Sequence, residues 1–280
     1  MDTPQHPLRI RHGYPEDQAD FQKRNLEFII RFHNLEKAIE TTFDRVHEKT
    51  TLAERTVYFL GRITVEEFME ILLLCQNGYG VGAQKLLRGM YERAVTAEYL
   101  FKHSEQAEDF LAYNKVANYK ILESVRSCAG HSVISKERTE QIEQEYEAVR
   151  PRFLIANCKK CETTRVNHSW NKKDLVSMAR ESVGLWPLLP LAYQIPMREL
   201  HTTVGSIFSR LDPNAMTNDE GLLFESGPQP ETADFALHTA HLVMLCVLEN
   251  QREVFKITEL PPLLQTCMED VSVIYRDKNR

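Results

Sequence analysis

Between Glu16 and about His47 the apolar residues Phe21, Leu26, Phe28, Ile29, Phe32, Leu35, Ile39, Phe43 and Val46 return at spacings of three and four. Only a helix gathers such positions on one face, and this period constrains the fold more than any other feature of the chain. It recurs downstream. Thr64 opens T-V-E-E, a capping-box pattern that predicts a helix from Val65 to about Gln76. NGYG (77 to 80) predicts a break, because each Gly costs a helix about 1 kcal/mol. Residues 81 to 103, VGAQKLLRGMYERAVTAEYLFKH, predict a central helix, and Ser104 and Ser135 suit the N-caps of the next two, which Gly130 and Arg150-Pro151 end. A short helix lies in KKDLVSMARES, and two final helices cover roughly 231 to 256 and 261 to 276. Between them, a run shaped by Pro187, Pro190 and Pro196 puts Leu189, Tyr193, Met197 and His201 on one i, i+4 stripe. With only 11 Gly in 280 residues, the expected fold is all-α: a loose arm over residues 1 to 15, then a single domain over 16 to 280, a bundle of about eight helices.

The start of the chain has no apolar run resembling a secretory signal, and no later stretch reaches about 18 uninterrupted apolar residues, so the expectation is a cytoplasmic protein that does not engage a membrane. Its six Cys are then expected to be mostly reduced. The net charge of −6 argues against a surface that grips nucleic acid everywhere. From Arg150 to Arg180, however, eight basic residues face two acids, and the stretch from 151 to 170 shows no clear periodicity and reads as a long connection. That basic segment is a candidate footprint for RNA, with Lys159, Lys160, Arg165, Lys172 and Lys173 as its contacts. The alternative is a solvated loop whose charges balance acidic neighbours.

Arg88 and Glu92 sit one turn apart inside the apolar face of the central helix. Charges are seldom buried unless paired, so the two form either a structural clamp or part of a site. Arg before Glu is the poorer order for a solvent-exposed pair, which weakens the explanation as a surface staple.

The segment 81 to 103 resembles the pattern "apolar, L-x-R-x-x-x-E, small, apolar, Y-L" of a bacterial family known as domain of unknown function 5677. The second marker of that family, a Trp, a short Ala-containing helix and Tyr-x-x-x-Ser-x-x-x-His, is similar to Trp170, Ala179, Tyr193 and His201, with Met197 in the slot where a Ser is usual. The likeness covers about residues 65 to 210. It implies a helical bundle and, by looser analogy, the HEPN group, whose known members include metal-independent ribonucleases using an Arg and a His four to six residues apart. Such chemistry needs an acid or base near neutral pH and a cation for the phosphate charge. Arg126 and His131 have that spacing, and Arg198 and His201 have the residue types three apart.

Cys158-Lys-Lys-Cys161 with His168 offers three zinc ligands but no fourth, and His238 and His241 lack carboxylates at matching spacing, so no metal is expected. No Gly-rich phosphate loop, G-x-S-x-G or H-E-x-x-H occurs, and no cofactor is implied. Two functions fit. One is a HEPN-like ribonuclease or toxin of a defence or stress system, with His201 or His131 as acid or base. The other is a non-catalytic interaction or ligand-sensing module in which Arg88, Glu92, Tyr193 and His201 hold the bundle together or bind a small anion. A homodimer suits either.

Overall fold

The computed structural model describes residues 15–45, 47–130, 133–157, 163–200, 204–208 and 227–276. The elements are α1 (Pro15–Arg24), α2 (Leu26–Phe43), α3 (Leu52–Gln76), α4 (Gly80–Lys102), α5 (Ala107–Ala129), α6 (Lys136–Val149), a hairpin of β1 (Leu154–Ala156) and β2 (Thr164–Val166), α7 (Leu175–Ala179), α8 (Ile195–Leu200), α9 (Val204–Phe208), α10 (Pro230–Phe255) and α11 (Leu260–Ile274). The fold is all-α, and eight of the described helices run ten residues or longer. No helix among the described residues is long and apolar enough to cross a membrane.

Helices α3, α4 and α10 pack against one another as the centre of the bundle, with α2 and α11 alongside. Phe68, Ile71, Leu87, Met90, Tyr91, Leu237 and Met244 are all fully buried there. The α5–α6 pair carries its own smaller cluster of Val116, Tyr146, Val149 and Phe153. A glycine sets the closest approach in the centre. At Gly80, the first residue of α4, an added Cβ would come 2.6 Å from the backbone nitrogen of Ala233 and 2.7 Å from the carbonyl oxygen of Gln229. The Val81 amide nitrogen donates to Gln229 Oε1 (3.2 Å) at the same junction.

Several boundaries differ from the sequence reading. Ser104 does not cap α5, which starts at Ala107 after a 3-10 turn over Ser104–Gln106. The first long helix breaks at Asn25, whose side-chain amide donates to Phe21 O (3.2 Å) and to Asp234 Oδ1 (2.8 Å). The capping box that starts α3 is T-L-A-E at 51 to 54, with Thr51 and Glu54 bonding reciprocally, and not T-V-E-E at 64 to 67. Thr64 is buried in the middle of α3, and its hydroxyl donates to Leu60 O (2.6 Å), a bond available to Thr inside a helix. The basic connection holds an antiparallel hairpin that pairs Ile155 with Arg165. Near Tyr193 the backbone makes a π-type turn over Pro190–Gln194, in which the Ile195 N–H donates to Pro190 O.

Backbone rather than a flexible side chain would meet a Cβ at Gly80, so Gly80→Ala is expected to destabilise the protein by about 1–3 kcal/mol. Urea unfolding of the two proteins measures it.

Candidate functional site

Helix α4 turns its apolar residues into the centre of the bundle and carries a seam of charge along its flank. At its middle, Arg88 Nε donates to Glu92 Oε1 (2.9 Å), with the Arg side chain 16% exposed and the Glu side chain 40% exposed. The Arg88 guanidinium lies over the Tyr193 ring, 4.9 Å from its centroid, a cation–π contact. The π-type turn at 190–194 brings Tyr193 to that position, and its ring in turn leans on Tyr91 (6.3 Å between centroids). Tyr91 is fully buried, and its hydroxyl donates to Leu185 O (2.9 Å). Arg88, Glu92 and Tyr193, set about 100 residues apart in the chain, therefore meet. The pair is only partly buried and faces an aromatic ring.

A second pair lies beside the first and escaped the sequence reading. Arg93 Nη1 donates to Glu67 Oε1 across α3 and α4. Gly89 makes room for it, since a Cβ there would sit 2.9 Å from Arg93 Nη1 and 3.0 Å from Glu67 Oε1. The other oxygen of Glu67 is buried without a hydrogen-bond partner among the described residues. Burial pushes the Glu67 carboxyl up to about 7, against the pull of Arg93. The one sequence signal for this pair was a Gly in the middle of a helix, four residues before an Arg.

Two turns further on, Glu98 receives Ser182 Oγ (2.5 Å) and Lys102 Nζ (2.7 Å). Lys102 also donates to Glu181 O (2.6 Å), and His103 Nε2 lies 2.7 Å from Glu181 Oε2. Lys173 completes this group by pairing with Glu181 and lying over the Tyr99 ring. The Lys173 and His103 bonds hold the Glu181 carboxyl below its ordinary value. Trp170 belongs to this end of α4, edge-on to Phe110 (5.3 Å) and to Tyr99 (6.1 Å), about three turns from Arg88.

The remaining sequence candidates fall elsewhere. Arg126 is held by Glu123 (2.8 Å) and Glu143 (2.7 Å), which ties α5 to α6. Arg165 is on β2 with its guanidinium against His168, and Lys172 is exposed. Arg198 is exposed and lines a hollow of about 210 Å³ with Gln84, Glu199 and Gln229. His131, Lys159, Lys160 and His201 lie outside the described residues, as do Cys158 and Cys161. Among the described residues, three of the eight basic residues of that segment are paired with acids, Arg150 with Glu147, Arg152 with Glu108 and Asp109, and Lys173 with Glu181. His238 and His241 pack on Tyr275, and no group of three metal-ligating side chains occurs among the described residues.

Next to the Glu98–Lys102 group opens a cleft of about 580 Å³, bounded by the end of α4, the turn at 182–188, α10 and α11. Leu188, Leu242, Leu245, Cys246, Leu264 and Met268 form its apolar walls. Its charged rim is Glu98, Glu249 and Glu253 against Lys102. Asn250 also lines it, 7% exposed, with its Oδ1 unpartnered among the described residues. Burial raises the Cys246 thiol to about 12, so it stays protonated and is no nucleophile near neutral pH. Nothing in the sequence marked this cleft, because its walls come from four separate stretches.

A family model described as "Family of unknown function (DUF5677)" matches residues 56–220, more than half of the chain, and the chain belongs to that family. No curated protein and no solved structure matches it.

Because burial raises Glu67 above its ordinary value of 4.5, the folded chain holds that proton more tightly than the unfolded one. The stability tied to it is fully present below about pH 4.5 and is lost as pH rises through about 7. Glu67→Gln, which mimics the neutral acid, is expected to be more stable than wild type at pH 8 by about 1–2 kcal/mol and to differ less at pH 5. Chemical denaturation at both pH values checks this.

Proposed function

We propose that this member of the family is a non-catalytic, ligand-sensing helical module, and that it binds a small amphipathic amine in the cleft between α4, α10 and α11. The observation that carries this reading is the cleft itself. Its volume of about 580 Å³ falls in the range of small-molecule sites, and its walls are apolar with a few polar groups converging on them. The rim carries Glu98, Glu249 and Glu253 against Lys102, and Arg252 just beside it is bonded to Glu249 (2.6 Å) and near Glu253 (3.4 Å). The net charge of these five groups is still negative and favours a cationic head, and the apolar walls favour a hydrocarbon body. A half-turn of the Asn250 amide exchanges its oxygen and its NH2, so this side chain can meet either a donor or an acceptor. The thiol is inert and Lys102 is bonded to Glu98, which leaves the cleft suited to holding a molecule rather than transforming one.

The ribonuclease reading has less behind it. It needs a cation free for phosphate beside its histidine, and Arg126 is engaged by two carboxylates. The polyanion footprint is likewise weakened by the acids that face Arg150, Arg152 and Lys173.

Isothermal titration with decylamine, decanol and decanoate tests the proposal. Decylamine is expected to bind about ten-fold or more tightly than decanoate. Val183, 92% exposed at the rim, can be changed without touching the core, and Val183→Trp is expected to weaken decylamine binding about ten-fold by narrowing the entrance. Equal affinity for amine and carboxylate, or binding indifferent to Val183→Trp, would rule the site out. The same protein is expected to leave RNA uncut, and cleavage abolished by His201→Ala or His131→Ala would restore the nuclease reading.

A further inference from the structure

The outward face of α3 is not built like an ordinary solvated surface. Leu52, Arg55, Phe59, Arg62, Ile63, Glu66, Met69, Glu70 and Leu73 are all exposed on it, Phe59 by 62% and Leu73 by 60%. Positions 52, 55, 59, 62, 66, 69 and 73 recur on average every 3.5 residues, which draws a nearly straight strip along the helix, about 31 Å long at 1.5 Å per residue. At the C-terminal end of α3 the exposed Leu26 and Ile29 of α2 line one hollow with Gln76 and widen the apolar area. An apolar strip of this extent on a soluble helix marks a contact surface.

The charges on the strip identify what it contacts. Both cations, Arg55 and Arg62, lie in its first half and both anions, Glu66 and Glu70, in its second. None of the four is in an ion pair with another described residue, and the Arg62 guanidinium rests over the Phe43 ring at 5.8 Å. A strip that is positive at one end and negative at the other is complementary to itself when turned end for end. Laid parallel and in register, a second copy would set Arg against Arg and Glu against Glu.

We infer that α3 is the interface of a two-fold symmetric homodimer in which the α3 helices of two copies pack antiparallel, with the axis between Arg62 and Glu66. In this register Arg62 meets the second copy's Glu66, Phe59 meets its Met69, and Arg55 faces the turn that carries its Glu70 and Leu73. Each contact occurs twice, as an isologous interface requires. The ends fit as well. The second copy's Leu52 comes opposite Gln76, where a hollow of about 350 Å³ is lined by Phe21, Leu26, Ile29 and Gln76. The second copy's Leu73 comes opposite Arg55, where a hollow of about 200 Å³ is lined by His47, Tyr58, Phe59 and Phe255. Each copy thus presents a projecting leucine and a recess at each end of α3. The interface shares no residue with the amine cleft, so either can stand if the other falls.

Sedimentation equilibrium at micromolar concentration tests the interface on the full chain. Wild type is expected to be a dimer. Arg62→Glu and Glu66→Arg, both exposed positions, are each expected to shift the protein to monomer with an unchanged circular dichroism spectrum, as is Phe59→Asp. Mixing the Arg62→Glu and Glu66→Arg proteins in equal amounts is expected to restore a dimer. The mixed pair sets two Glu on one copy against two Arg on the other, a rescue that a role within one chain cannot produce. A monomeric wild type, a dimer indifferent to these changes, or a mixture that stays monomeric would overturn the proposal. Capture of an unrelated protein by a monomeric wild type through Phe59 would assign the strip to that partner instead.

Discussion

The spacing of α3, α4 and α10 rests on places where a side chain is missing. Gly80 lets the start of α4 touch the backbone at the start of α10, and Gly61 lets Gln251 of α10 reach across to donate to Val57 O (2.9 Å) on α3. Interiors are packed as tightly as crystals, so helices brought this close leave no slack for their neighbours. Tyr91, Met90 and Leu87 are fully buried between them, and the charged residues of α4 have only its flanks left. The charged seam on α4 follows from that packing.

Along the seam, each charge is tolerated for a different physical reason. Arg88 keeps a partly exposed carboxylate on one side and an aromatic face on the other, so little desolvation is left uncompensated. Glu67 is the exception, since it is buried with one oxygen unanswered and its acidity is weakened accordingly. At the far end, Glu98 and Lys102 satisfy each other and mark the mouth of an apolar cleft. The seam therefore runs from the Arg88–Glu92 pair against Tyr193, through a proton-linked pair at Glu67, to the rim of a cleft.

The helices were legible because the period of three and four survives in every long one, and the break at NGYG was legible because Gly78 takes a positive φ there. Arg88, Glu92 and Tyr193 were legible as a cluster through their residue types and their place in the family pattern. The true start of α3 was not, because T-L-A-E and T-V-E-E are the same local signal, and only burial decides that Thr64 lies mid-helix while Thr51 caps. The hairpin at 154–166 has three-residue strands, too short for a period of two to stand out. The pairing of Arg152 was not legible, because its partners Glu108 and Asp109 lie more than 40 residues earlier in the chain. The cleft joins the end of α4, a turn and two C-terminal helices, a juxtaposition that no local pattern records.

A ligand held in the cleft between α4, α10 and α11 is the central claim. The most direct measurement is a crystal structure of the protein grown with decylamine at a saturating concentration. The hydrocarbon chain is expected along Leu188, Leu242 and Leu245, with the nitrogen within hydrogen-bond distance of Glu98, Glu249 or Asn250. Decylamine found only on the α3 strip or elsewhere on the surface, with the cleft walls closed on one another, would contradict it.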